Sequence, residues 1–178
     1  ASALLYACLN LFGYDIKTED LQSFRQRGSK CKGHPEVEIC GVDATTGPLG
    51  QGIGMAVGMA VAEEYLRAKF SHGNLSPIDH YTFCFVGDGD LMEGVAQEAI
   101  SFAGTQKLSR LILLYDKNDI TIEGSTKFSN RENVKQKFVA KMKDSIVNVD
   151  KLRDVENINL NLEDNSEIEK SLALRYVV

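Results

Sequence analysis

Two oxygen-bearing side chains, Asp88 and Asn118, lie 30 residues apart, each just after a short apolar run, in FVGDGDLMEG and LILLYDKNDITIEG. A carboxylate set between glycines where a strand should end has three readings: a tight turn, a calcium loop, or a metal ligand beside a bound phosphate. Gly-Asp-Gly by itself is a common turn. The calcium loop fails, because Met92 and Glu93 fall where a ligand and the obligatory glycine belong. The metal reading needs more oxygen, and Asn118 offers an amide oxygen with a main-chain carbonyl close by. Magnesium takes about six oxygens and draws several of them from phosphate groups. Gly89 would let a diphosphate approach the backbone, and the helix that follows would aim its N-terminal amides at the anion.

Other candidates are weaker. Cys31, His34 and Cys40 could supply three metal ligands, but no fourth partner is evident. The four cysteines lack the paired spacing of a zinc ribbon or a redox motif, and reduced thiols in a cytoplasmic protein are the default. GPLGQGIG does not fit the dinucleotide fingerprint in any frame, and there is no Gly-Lys-Ser/Thr for a P-loop.

The elements that must position Asp88 and Asn118 can be read from periodicity. HYTFCFV reads as a strand buried on both faces, and RLILLYD as a second. Between them, LMEGVAQEAISFAGTQKL reads as a helix with Leu91, Val95, Ala99 and Phe102 on one face. Strand, helix, strand predicts a right-handed βαβ crossover and a parallel sheet, so Asp88 and Asn118 reach the same sheet edge, where open α/β sheets bind ligands.

Upstream, ALLYACLNLFG predicts a helix ending at Gly13, and Thr18 starts a short second helix through Phe24. Residues 26–52 read as a long loop holding six glycines and two of the three prolines, a length that in a compact domain is usually functional. IGMAVGMAVAEEYLRAKF predicts a helix in which Gly50, Gly54, Gly58 and Ala62 line one face for close approach by another backbone. Downstream, RENVKQKFVAKM reads as a helix and SIVNV as a strand. KLRDVENINLNLEDN reads as a linker, and SEIEKSLALRYVV as a helix with Ser166 as N-cap and Glu169 completing a capping box.

The composition fits one core-forming unit: 178 residues, 43% hydrophobic, with a net charge of −5. That charge and the lack of a basic run give no reason to expect nucleic acid. No stretch spans a membrane; the glycine helix meets Glu63, Glu64, Arg67 and Lys69 after too few apolar residues, and no signal peptide opens the chain.

GDG with an asparagine about 30 residues on resembles the thiamine diphosphate-binding motif. SKCKGHPE, TTGPLGQGI, DHYTFCFVGDGDLMEG and LILLYDKNDITIEG resemble the transketolase family in order and spacing, over roughly residues 2–139. Deoxyxylulose phosphate synthase is the nearest alternative, and a non-catalytic module that keeps the fold is another. The resemblance implies a thiamine diphosphate-binding fold and transfer of a two-carbon ketol unit from a ketose phosphate to an aldose phosphate. It implies thiamine diphosphate as cofactor, with Mg2+ (or Ca2+ or Mn2+) held by Asp88, Asn118 and the Ile120 carbonyl. Gly89 would lie at the diphosphate, Gly47 and Leu49 at the cofactor rings, and His34 at the donor sugar. Glu93 and Glu98 resemble helix glutamates at the interface of a homodimer.

The resemblance has gaps. The early SAGH-like histidine of the family is missing, as are the GHD segment and the later histidine-bearing loop. Residues 1–150 are therefore expected to be an incomplete diphosphate-binding domain, with 151–178 a linker and the start of a second, pyrimidine-binding domain. The glutamate and arginines of that second domain are not in these residues, so the isolated chain is expected to be inactive.

Overall fold

The computed structural model describes residues 2–141 and 176–177. Its centre is β1 (Thr82–Gly87), which pairs in parallel with β2 (Leu111–Asp116) from Thr82↔Leu111 to Gly87↔Asp116. The connection is α4 (Gly94–Gln106), entered through a single 3-10 turn at Asp90–Met92. The predicted βαβ unit and parallel sheet are therefore present.

Strand alternation explains why β1 is buried along nearly its whole length. Cys84 and Val86 pack with α3 (Gln51–Phe70) and α4, in a core that includes Ile53, Ala56, Ala60, Ile100 and Leu111. Phe85 points the other way, into a second cluster with Leu5, Tyr6 and Leu9 of α1 (Ser2–Leu11) and with Ile16, Cys31 and Val42. Both faces of the strand are thus covered, one by α3 and α4 and the other by α1 and the long loop.

α1 ends before Gly13, whose φ of +78° suits a residue without Cβ. α2 (Thr18–Gln22) stops short of the expected Phe24, where a turn takes over: the Phe24 amide donates to the Leu21 carbonyl at 3.1 Å. Residues 23–50 form the predicted loop, which still contributes Cys31, Val42 and Ala44 to the core. After β2, a small antiparallel pair, β3 (Ile120–Thr121) with β4 (Gly124–Ser125), leads to α5 (Val134–Lys141).

Three expectations are corrected. In α4 the buried residues are Ala96, Ile100 and Ala103, whereas Val95 and Phe102 are 36% and 48% exposed. The helix begins only at Gly94, so Leu91, buried in the preceding turn, does not set its phase, and the alanines let it lie close against α3. In α3 the buried stripe is Gly52, Ile53, Ala56, Val57, Ala60 and Glu63. Gly54 and Gly58 have open space where a Cβ would stand, so among the described residues nothing packs on that small-residue face; Met55, Val61 and Tyr65 are exposed. Glu63 is buried where the helix passes the start of β2, its Oε1 accepting from Arg67 Nε at 3.0 Å and ion-paired with Arg110 at 3.5 Å.

The third correction concerns the C-terminus. Tyr176–Val177, expected to be helical, form β5, which pairs in parallel with β1 on the side away from β2. The edge of β1 offers main-chain ladder bonds, whereas the last turn of a helix leaves its carbonyls unpaired. The expected strand SIVNV, the linker and the Ser166 cap lie outside the described residues.

Candidate functional site at the carboxyl ends of the strands

Asp88 directly follows β1 and is only 8% exposed. One carboxylate oxygen, Oδ2, accepts the main-chain N–H of Asn118 at 3.1 Å and of Asp119 at 2.8 Å. The other, Oδ1, accepts the hydroxyl of Tyr115. The parallel register brings Gly87 opposite Asp116, so the loops leaving β1 and β2 start side by side and a single carboxylate can tie them together.

The β2 loop is shaped by a second set of short-range bonds. Asn118 Oδ1 accepts the Ile120 N–H at 3.1 Å, and its Nδ2 donates to Asp116 Oδ2 at 3.2 Å. Asp119 adopts φ +58°, which turns the chain back into β3. Ile120 begins that strand and is 56% exposed. Asn118 and Ile120 thus sit on an exposed loop at the same sheet edge as Asp88.

The glycine-rich loop approaches from the other side. A Cβ at Gly47 would lie 3.3 Å from Cγ of His34, and one at Gly89 would lie 3.4 Å from a methyl of Leu49. The Thr46 amide donates to the Pro35 carbonyl at 3.2 Å, and the Val37 amide to Thr45 Oγ1 at 3.1 Å, which holds the GHPE segment against TTGPLG. His34 is exposed. Gly50, at φ +77°, caps α3 and backs onto Glu93, which is half-buried at the start of α4; Glu98 is exposed one turn further on.

The structure therefore brings His34 beside Gly47, Leu49 beside Gly89, and Asp88 beside Asn118. Among the described residues no group of three or more His, Cys, Asp or Glu could hold a metal ion, and that includes Cys31, His34 and Cys40. A hard cation at Asp88 would instead rely on the amide and carbonyl oxygens that the sequence pairs with it.

Two residues were missed by the sequence reading. Tyr115 bonds Asp88 and stacks on Phe138 of α5, with ring centroids 6.4 Å apart. Burial first, and then its bond to Asp88, push its phenol well above the ordinary range. Its position as the penultimate residue of an apolar strand was the available signal. Asp90 was the other: an aspartate three residues beyond Gly87 in a glycine-rich turn is placed to cap backbone amides.

A parallel α/β unit with a buried carboxylate and two glycine-bearing loops at the strand carboxyl ends is of the class of open α/β domains whose ligand crevice, as a rule, lies at that edge. The family model for "Transketolase, thiamine diphosphate binding domain" matches residues 1–173. The chain belongs to the transketolase family. It is 59% identical over 140 residues to a transketolase of Streptococcus pyogenes, covering 78% of this chain and 19% of that protein. It is 50% identical over 174 residues to the Bacillus subtilis transketolase, covering 97% of this chain and 26% of the relative. Among solved structures, a Pichia stipitis transketolase in complex with sedoheptulose-7-phosphate superposes with a TM-score of 0.71 at 46% identity, over 78% of this chain and 21% of that one. The chain thus spans about a quarter or less of the length of these relatives. Among the described residues, no helix is long and apolar enough to cross a membrane.

Proposed function

We propose that these residues form part of the cofactor site of a transketolase that transfers a two-carbon ketol unit between sugar phosphates. The carrying observation is the Asp88 carboxylate, which gathers the amides of Asn118 and Asp119 and so makes both strand-end loops one structure. The match to transketolases supports the reaction class. Sugar phosphates as substrates are supported by the Pichia stipitis relative, whose solved complex contains one.

The residues present fit a magnesium ion and a diphosphate. A carboxylate has about four lone-pair positions; three of those on Asp88 are taken by protein donors and one remains for a cation. Asn118 Oδ1 keeps a lone pair after accepting from Ile120, and the Ile120 carbonyl would complete a hard-oxygen set suited to Mg2+. Gly89, with no side chain of its own, would leave backbone exposed to the diphosphate. Leu49 beside it and Gly47 would contact the cofactor rings. When bound, thiamine diphosphate supplies the carbanion chemistry that breaks and remakes the carbon–carbon bond. His34, exposed beside Gly47, would face the donor sugar and exchange a proton with its hydroxyls.

A homodimer belongs to the same reading. The α3 face with Met55, Gly58, Val61 and Tyr65, open among the described residues, together with Glu93 at the N-cap of α4 and Glu98 within it, would meet a second copy. The match of the family model beyond residue 150 favours assigning the tail up to 173 to the diphosphate-binding domain. Four unpaired cysteines suit a cytoplasmic setting.

Calorimetric titration of the full natural chain with thiamine diphosphate, with and without Mg2+, tests the reading. Metal-dependent heat that disappears in Asp88→Ala is expected; heat unaffected by that substitution removes Asp88 from the site. The 178-residue chain alone is expected to bind weakly and to transfer no ketol units.

A further inference from the structure

Asp90 joins two segments that the site requires to be in register. Its Oδ2 accepts the Gly87 N–H at 2.9 Å, at the end of β1, and its Oδ1 accepts the Gly50 N–H at 3.0 Å, at the N-terminus of α3. These partners belong to different elements, and Gly50 is 40 residues away in sequence. Each oxygen serves a different segment, so the carboxylate works as a two-pronged clamp.

The clamp lies where the backbone has little room. Gly50 needs its left-handed φ of +77° to cap α3, and a Cβ there would come within 2.7 Å of Glu93 Cβ. Its amide, turned inward by that conformation, would lack a protein acceptor without Asp90 and would leave the loop free to lift. One residue earlier, Leu49 reaches the space above Gly89, and two earlier still, Gly47 backs onto His34. Lifting Gly50 would therefore move both Leu49 and Gly47 away from the Asp88 edge.

We propose that Asp90 is a positioning residue that fixes the Gly47–Gly50 loop against the strand-end turn, and so sets the distance between the ring-contacting and the diphosphate-contacting halves of the cofactor site. The cofactor part of this inference rests on the function proposed above; the loop part does not.

The test uses the full natural chain and Asp90→Ala. Amide hydrogen exchange reads the clamp directly, and titration with thiamine diphosphate and Mg2+ reads its consequence. Exchange at Gly50 and Gly87 is expected to be about tenfold faster or more, as for loss of a hydrogen bond to a charged acceptor. Cofactor affinity is expected to fall about tenfold, with kcat at saturating cofactor changed less than about threefold. Unchanged exchange at Gly50 would overturn the proposal, and so would a fall in kcat with affinity intact. If the unaltered protein does not bind thiamine diphosphate, the functional reading fails while the exchange result still judges the clamp. Should Asp90→Ala fail to fold, the isosteric Asp90→Asn replaces one acceptor oxygen with an NH2 group. Loss of protection at one of the two amides then supports the clamp, and full protection at both refutes it.

Discussion

The carboxylate of Asp88 accepts the main-chain N–H of Asn118, 30 residues further along, at 3.1 Å. A strand end and a loop are thereby locked together before any ligand is involved, and the Tyr115 hydroxyl supports the same carboxylate from below. Tyr115→Phe keeps the stacking on Phe138 but removes that donor. A stability loss of about 1.5 to 3 kcal/mol is expected in denaturant titrations, the usual range for a hydrogen bond to a charged group. A loss below about 0.5 kcal/mol would mean the hydroxyl does not hold Asp88.

Two glycines, one capping α3 and one inside it, should respond with opposite signs. Gly50→Ala meets both a left-handed φ and Glu93 at 2.7 Å, so it should cost about 2 to 4 kcal/mol. Gly54→Ala enters open space inside α3 and should gain about 0.5 to 1 kcal/mol in the chain alone. Melting curves of both variants decide this, and equal effects would contradict the packing of α3.

The phase of α4 is tested by neighbouring apolar residues. Ile100→Ala should cost about 2 to 5 kcal/mol, because it opens a cavity in the core shared with α3 and β1. Phe102→Ala, at an exposed position, should cost less than about 1 kcal/mol in the chain alone. A larger loss for Phe102 would restore the face expected from sequence.

Cys84 is fully buried, and burial, reinforced by the charge of Asp90, pushes its thiol up to about 12. The folded state then holds a proton that the unfolded chain releases near pH 9, so this contribution to stability is complete below pH 9 and declines as pH rises towards 12. Unfolding free energy should fall by up to about 1.4 kcal/mol per pH unit in that window, and the slope should flatten in Cys84→Ala. Thiol labelling at neutral pH should reach exposed Cys40 quickly, and Cys84 only on unfolding. Equal labelling rates would contradict the burial of β1.

The sequence by itself determined the βαβ unit, the parallel pairing of TFCFVG with LILLYD, and the strand-end placement of Asp88 and Asn118. These follow from local signals: apolar runs of strand length, a helical stretch of crossover length, and glycines where the chain must turn. The long loop was legible for the same reason. Only the tertiary structure decided which stripe of α3 and of α4 is buried. Both helices carry apolar residues on more than one side, so their own periodicity does not choose. Asp90 and Tyr115 likewise act through partners 40 and 27 residues distant, respectively, contacts that exist only once the sheet has aligned the loops. The pairing of Tyr176–Val177 with β1 is of the same kind: a short β-rich pair takes its conformation from the strand it meets, not from its neighbours in the chain.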